Sequence, residues 1–329
     1  MHRTVSFFLL FNVISSLPAQ HLSLKGPVEG FVYDAPTRSL RAVMGSLAAA
    51  SLGPPLLGGQ DFGSVAPYQD HAVAFQEGRC LIVTRLGSEQ VTTAELPGEF
   101  AVPDGISWSG DGSVAAIYSR ANGWMRIVRG LPSAPYLEPD LELEHLPGSL
   151  TAVSVNFRGT DVAFGIAGEA PGVYRRVKGG GLVSILASSN PVALTYSEDG
   201  ETLYVLDGAT KQLSALNTVN QTFEAWPLDA LAEPVAMITR LDPLRRQVIY
   251  VAGRADRSIV GFDAESHEMI MHLPVAAQPT TLAPLGRDSF LLGPRQGNQD
   301  PLWSLLADGS PKVFFIPATP TSRLEEPGR

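Results

Sequence analysis

The chain has 329 residues, 44% hydrophobic and only 17% charged, with 32 glycines and 26 prolines, so it carries enough apolar mass for a large core and a high density of turns. Its 24 basic and 33 acidic residues leave a formal charge of -9, which argues against a nucleic-acid partner. A single cysteine, Cys80, excludes an internal disulfide.

At the N-terminus, His2 and Arg3 precede an apolar run from Val5 to Leu17 and then Pro18-Ala19-Gln20. That is the layout of a secretory signal over residues 1–19, cut after Ala19, and it places the mature chain in the periplasm or outside the cell. The run is short for a bilayer crossing, and no other stretch reaches the ~20 apolar residues of a membrane helix. The expected division is a signal over 1–19, one folded domain over 20–317 and a polar C-terminal tail over 318–329 with Pro320 and Pro327.

A large apolar residue followed by proline closes successive strand-like runs at Leu96-Pro97, Leu146-Pro147, Trp226-Pro227, Leu273-Pro274 and Ile316-Pro317. With Ala187-Ser188 in the long gap and Pro54-Pro55 before the first mark, the spacing averages about 44 residues and yields seven units. Their expected ends lie near Pro55, Pro97, Pro147, Ser188, Pro227, Pro274 and Pro317. The first unit departs from the pattern: it has room for Phe31–Asp34 and Leu40–Met44 but hardly for four full strands. Six complete units plus an incomplete one is therefore the alternative.

Within the units an apolar run, a turn and a second apolar run recur, with Asp111-Gly112, Arg158-Gly159, Asp199-Gly200 and Gly286-Arg287 at the turns. Glycine accepts the positive φ of a tight hairpin, so each unit reads as a meander of short strands. The second strands, such as Val114–Tyr118 and Val248–Val251, are apolar on successive residues, as expected of strands covered on both faces. The fourth, such as Leu141–Leu146, alternate and read as outer edges. Burial falling from inner to outer strand predicts an all-β propeller of seven four-stranded blades. Cys80, within an apparent strand, reads as a buried small hydrophobe.

The segment Ile106-Ser-Trp-Ser-Gly-Asp-Gly-Ser-Val-Ala-Ala116 resembles the W-S-P-D-G strand-turn-strand of bacterial WD40-like and TolB-like propeller repeats, with Gly110 in place of the proline. Val248–Gly253 followed by Ile259–Asp263 is similar to the YVTN propeller repeat. The resemblance covers most of residues 61–317 and implies a fold; it carries no catalytic residue.

No chemical constellation stands out. His21, His71, His145, His267 and His272 fall without metal-ligand spacing, and His267 with His272 reads as a solvated hairpin. Gly179-Gly-Gly181 lacks the following helix of a phosphate loop and reads as a hairpin. Ser107 and Ser109 lack the spacing of a nucleophile elbow. Asp104, Asn156, Asn190 and Asp207 are the oxygen donors a metal-dependent propeller enzyme could use, but they form no motif. The expectation is no catalytic residue, no metal and no cofactor.

Loops between second and third strands supply Arg79, Arg120 with Asn122 and Trp124, Glu169, Asp207, Arg254 with Asp256 and Arg257, and Arg295 with Gln296, Asn298, Gln299 and Asp300. Arg120, Trp124, Arg254, Asp256, Arg257 and Arg295 are the expected binding residues, since Trp and Arg often dominate binding energy. Arg254, Arg257 and Arg295 should concentrate positive potential for an anionic ligand or an acidic surface. The sequence thus points to a monomeric, exported bacterial binding or scaffolding propeller for a protein or small polar ligand. A lactonase, lyase or quinone-dependent sugar dehydrogenase on the same fold is the alternative.

Overall fold

The computed structural model describes residues 26–176, 181–242, 244–308 and 310–318. The expected signal over 1–19, most of the expected tail 318–329 and most of the glycine run at 179–181 lie outside the described residues. Seven antiparallel sheets follow one another along the chain. Blade 1 holds β1 (Val28–Asp34), β2 (Ser39–Met44) and β3 (Ser51–Gly58), and blade 2 holds β4 (Phe62–Val65), β5 (Ala72–Gln76), β6 (Arg79–Thr84) and β7 (Thr92–Leu96). Blade 3 is β8 (Gly105–Trp108), β9 (Val114–Ser119) and β10 (Trp124–Arg129), with β11 (Tyr136–Leu137) and β12 (Leu141–Glu142) sharing its outer edge. Blade 4 is β13 (Ser149–Val155), β14 (Val162–Ala167), β15 (Gly172–Arg176) and β16 (Leu182–Leu186); blade 5 is β17 (Pro191–Tyr196), β18 (Thr202–Asp207), β19 (Gln212–Asn217) and β20 (Phe223–Pro227). Blade 6 is β21 (Pro234–Leu241), β22 (Gln247–Gly253), β23 (Ser258–Asp263) and β24 (Met269–Pro274); blade 7 is β25 (Ala283–Gly286), β26 (Ser289–Leu291), β27 (Leu302–Leu306) and β28 (Lys312–Ile316). The only helices among the described residues are three single 3-10 turns.

The burial gradient follows the expected order. Second strands such as β14 and β22 are buried almost throughout, whereas β7, β20 and β24 expose most of their residues. Each sheet therefore presents two apolar faces, and the core is a set of layers between blades. Val73, Phe75, Ile82, Ile117 and Val128 fill the layer between blades 2 and 3, and Tyr204, Leu206, Trp226, Ile249 and Phe262 that between blades 5 and 6. Cys80 is fully buried in the first of these layers, where desolvation pushes its thiol up to about 12.

Two boundaries move. Pro55 does not end blade 1; it lies within β3, opposite Arg41 and between register shifts, and proline is tolerated there because an outer edge needs no second ladder. The expected outer strand Leu141–Leu146 is a two-residue strand followed by a 3-10 turn at Leu143–His145, whose Leu143 and Leu146 point into the core.

Among the described residues blade 1 has three strands, and its turn chemistry says which positions they take. Asp34-Ala-Pro-Thr-Arg38 between β1 and β2 matches Asp207-Gly-Ala-Thr-Lys211 between β18 and β19, and Arg254-Ala-Asp-Arg257 between β22 and β23. The last residue of each turn takes a left-handed φ, +50° at Arg38, +51° at Lys211 and +48° at Arg257. Hence β1 corresponds to a second strand although it is innermost in its sheet. It also runs opposite to the first strands of its neighbours: Glu29 bonds Ser289 beside the β25–β26 turn, while Asp34 meets Arg295 in the β26–β27 loop at the other end of blade 7.

These contacts close the ring. The Glu29 carboxylate accepts from the Ser289 hydroxyl at 2.7 Å, and Val32, Val43 and Leu47 pack with Leu285, Leu302 and Ile316. Among the described residues blade 7 is built from consecutive chain and shares no strand with blade 1, and the two meet by face-to-face packing.

Candidate functional site

First strands line the central channel, and their turns into the second strands surround its mouth on what we call the near face. Turns between second and third strands lie on the far face. The near-face turns of blades 3, 4 and 5 share one construction, in which the glycines Gly112, Gly159 and Gly200 take φ of +72°, +69° and +77° and donate to the carbonyls of Ser109, Asn156 and Ser197. Those three side chains then accept from the backbone across the turn: Ser109 Oγ from Val114 N–H at 2.9 Å, Asn156 Oδ1 from Asp161 N–H at 3.1 Å and Ser197 Oγ from Thr202 N–H at 3.0 Å. Ser109, which lacks the spacing of a nucleophile elbow, is a turn clamp, buried and also bonded to Asp111 at 2.7 Å. Polar atoms fixed in this way hold the turns rigidly around the mouth.

Two glycines shape the channel. A Cβ on Gly110 would sit 2.2 Å from the Phe157 ring, so the glycine that replaces proline in the repeat lets this aromatic of blade 4 lie against blade 3, with 39% of Phe157 exposed at the mouth. A Cβ on Gly105 would lie equally close to Tyr118, whose ring crosses the first strand of its own blade to reach the channel. Between these levels the channel encloses about 420 Å³, with Ser64, Ser107, Thr151, Val153, Thr195 and Ile238 on its wall. Ser64 also accepts from the Trp108 indole N–H at 2.9 Å, tying blade 2 to blade 3.

The polar centre of the mouth is Arg240, at the near end of β21. Its guanidinium pairs with Glu198 of blade 5 at 2.9 Å and Asp288 of blade 7 at 3.5 Å, and lies 5.3 Å from the centre of the Tyr68 ring of blade 2. Blades 2 and 6 face each other across a seven-membered ring, so the Arg240–Tyr68 contact spans the opening. Glu198 is fixed further by the Leu241 N–H at 3.2 Å. Arg240 Nε is buried without a hydrogen-bond partner, and Tyr68, 43% exposed, holds a left-handed φ of +59°. An off-preference backbone at a bulky residue costs of order 1–3 kcal/mol and clusters at ligand clamps. Sequence reasoning missed all four of Tyr68, Phe157, Glu198 and Arg240. The position of Tyr68 in the turn equivalent to Ser109–Val114 was the available signal, since Ala66-Pro67 there aligns with the proline of the repeat.

The residues expected to bind lie on the far face and are largely committed to the fold. Arg120 pairs with Asp104 at 3.0 Å, and Trp124 is half-buried with its ring edge-on to Phe100 at 6.4 Å. Arg254 pairs with Glu233 at 3.1 Å, and Asp256 accepts from Ala232 N–H at 3.2 Å; Arg257 is exposed. Blades 3 and 6 stand nearly opposite, so the structure does not gather Arg120 and Trp124 with Arg254 and Arg257. Arg295 corrects the expectation outright: its side chain is 3% exposed, bonded to Asp34 at 3.0 Å and to the carbonyls of Gly297 and Asn298. The long β26–β27 loop folds back over the guanidinium, which is why an arginine placed in a loop by sequence is interior.

Three of the four oxygen donors considered for a metal, Asp104, Asn156 and Asp207, are occupied. Asp207 accepts from Ser188, Ser189, Asn190, Ala209 and Thr210; burial opposes its ionisation, but these bonds, led by Thr210 N–H, hold its carboxyl below the usual carboxylate range. Asn156 is spent on its turn and Asp104 on Arg120. Among the described residues no three His, Cys, Asp or Glu side chains are grouped to hold a metal ion. His267 instead stacks on Trp226 at 3.9 Å and bonds Glu224 of the neighbouring blade at 3.2 Å.

No protein-family profile and no curated protein sequence matches the chain. Among solved structures it is similar to a protein from Lactobacillus plantarum, at 12% identity over 88% of this chain and 96% of that one with a TM-score of 0.61. A functionally unknown protein from Desulfotomaculum acetoxidans matches at 12% identity over 88% and 100%, TM-score 0.59, and streptogramin B lyase at 12% over 77% and 84%, TM-score 0.55. At such identities the likeness shows architecture alone. With seven radial sheets around one channel and these neighbours, the chain is a β-propeller.

Proposed function

We propose that the chain is an exported, non-catalytic binding propeller that seats a small polar ligand in the channel at its near-face mouth. The observation that carries the reading is the cluster of Tyr68, Glu198, Arg240 and Asp288, drawn from four blades, at the end of a 420 Å³ channel. Channel space of this size with several convergent polar groups at one end is a common form of ligand site. Arg240 offers donors, Glu198 and Asp288 acceptors, and Tyr68 and Phe157 aromatic faces, a combination suited to a ligand with hydroxyl or carboxylate groups beside an apolar face. Export rests on the signal-like residues 1–19.

A thermal-shift screen of polar metabolites against the mature chain tests the reading. A ligand that raises Tm for the wild type and for Arg257→Gln, but not for Arg240→Gln, supports it. Ligands whose effect vanishes in Arg257→Gln and persists in Arg240→Gln would return the site to the far face.

A further inference from the structure

The wall of the channel carries hydroxyl groups that the fold does not use. Tyr118, next to last in β9, pairs with Gly105 at the far-face end of β8, and its Oη lies 2.2 Å from where a Gly105 Cβ would stand. The hydroxyl therefore reaches the channel across the first strand. Ser64 is taken by the Trp108 indole, and Thr151 and Thr239 donate to the carbonyls of Pro191 and Tyr196. Tyr118 Oη and Ser107 Oγ, by contrast, have no hydrogen-bond partner among the described residues. Burial raises the Tyr118 phenol above the usual tyrosine range, so it stays a neutral donor and acceptor. From Gly105 to the near-face turn at Ser109 is four residues, about 13 Å at strand rise, so Tyr118 and the Arg240 cluster mark the two ends of the channel.

The charges narrow what fits between those ends. Arg240 already faces Glu198 and Asp288, and Glu29, Asp70 and Asp111 line the mouth with only Arg287 added on the basic side, so a further carboxylate is repelled. Glu29 and Asp111 accept from serine hydroxyls of the fold, and Glu198 from Arg240 and the Leu241 N–H, so a cation meets carboxylates that are already engaged. Neutral hydroxyls suit the same groups. The Glu198–Arg240 pair sets an acceptor beside donors, the match to two neighbouring hydroxyls, and Phe157 exposes an aromatic face to the C–H side of a sugar ring. We propose that the channel takes a neutral linear oligosaccharide end-on, its outer ring at Phe157 and the Glu198–Arg240 pair and its leading ring hydrogen-bonded to Tyr118 Oη. This rests on the reading of the channel as a ligand site, and adds the ligand class and a specificity-determining residue at the far end.

The test titrates the mature chain calorimetrically with linear glucose, mannose and N-acetylglucosamine series, from the single sugar upward, and with glucuronate and glucosamine as charged comparisons. The expected result is that affinity in at least one series rises about tenfold from the single sugar to the trisaccharide and then levels off, because the channel is filled. Tyr118→Phe removes one hydroxyl and keeps the ring; it should weaken the trisaccharide about tenfold and leave the single sugar unchanged. Its Tm should match the wild type, since the hydroxyl has no partner in the free chain. Arg240→Gln should weaken both sugars. A trisaccharide that binds no tighter than its single sugar, or equally well to Tyr118→Phe, overturns the proposal while leaving a small-ligand site at Arg240 standing. Tighter binding of glucuronate or glucosamine than of glucose overturns the neutral class. Ligands that bind with no loss in Arg240→Gln would remove the underlying site as well.

Discussion

Replacing Arg295 separates a structural arginine from a surface one. Its side chain is 3% exposed and that of Asp34 1%, and the two hold blade 7 against blade 1. Removing one member of a buried pair leaves the other charged and desolvated, which typically costs ~3–5 kcal/mol. Two features place the expected loss near the lower bound: Arg41 remains 3.3 Å from Asp34, and Arg295 Nε has no hydrogen-bond partner even in the wild type. The hydrogen bonds to Gly297 and Asn298 carbonyls add to the loss. Arg295→Met should therefore destabilise by about 3 kcal/mol in urea titration, equivalent to roughly 5 °C in Tm for a chain of this size. Arg257→Met, on an exposed turn, should change stability by no more than ~0.5 kcal/mol. The double variant Asp34→Asn, Arg295→Met removes both charges and should recover part of the loss. A loss under about 1 kcal/mol for Arg295→Met would refute the claim that this pair closes the ring.

Other outcomes follow from individual contacts. Phe164→Ala, at a fully buried side chain between blades 3 and 4, should cost ~3–5 kcal/mol by chemical denaturation. Gly159→Ala should cost about 1–3 kcal/mol, because a φ of +69° and a Val114 methyl 2.2 Å from the new Cβ both oppose it; Gly58→Ala, with open space around it, should not. Burial lowers the pKa of His71, which the bond to Gly112 only partly offsets, so the unfolded chain takes up a proton near pH 6.5 before the folded one does. Stability should then fall as pH drops from about 7 to 5, and His71→Gln should flatten that slope in a Tm series. Cys80, with its thiol pushed up to about 12, should resist thiol reagents at pH 8 until the chain is unfolded.

The blade pattern was legible because it is local. Hairpin glycines, runs of apolar residues and Leu-Pro marks record turns and burial within a few positions, and they placed Pro97, Pro227, Pro274 and Pro317 at or beside the ends of β7, β20, β24 and β28, while Pro147 follows β12 by five residues and a 3-10 turn. Blade 1 was harder, since its distinguishing mark is not a missing apolar run. The mark is the likeness of Asp34–Arg38 to Asp207–Lys211, which is visible only when second-to-third turns are aligned. Of the mouth, only the turn position of Tyr68 was legible. Tyr68, Glu198 and Arg240 meet only through ring closure, and nothing near any of them in sequence reports on a partner several blades away. Arg295 shows the converse error, a loop arginine read as exposed when its own loop buries it.

Cross-linking tests most directly whether opposite blades meet at one mouth. In a Cys80→Ser background, Tyr68→Cys with Arg240→Cys should be joined within one molecule by a short bis-maleimide, since the two side chains touch across the opening. Tyr68→Cys with Arg254→Cys, one on each face, should not be joined. Efficient linkage of the second pair and none of the first would contradict the ring, the assignment of faces and the site built on them.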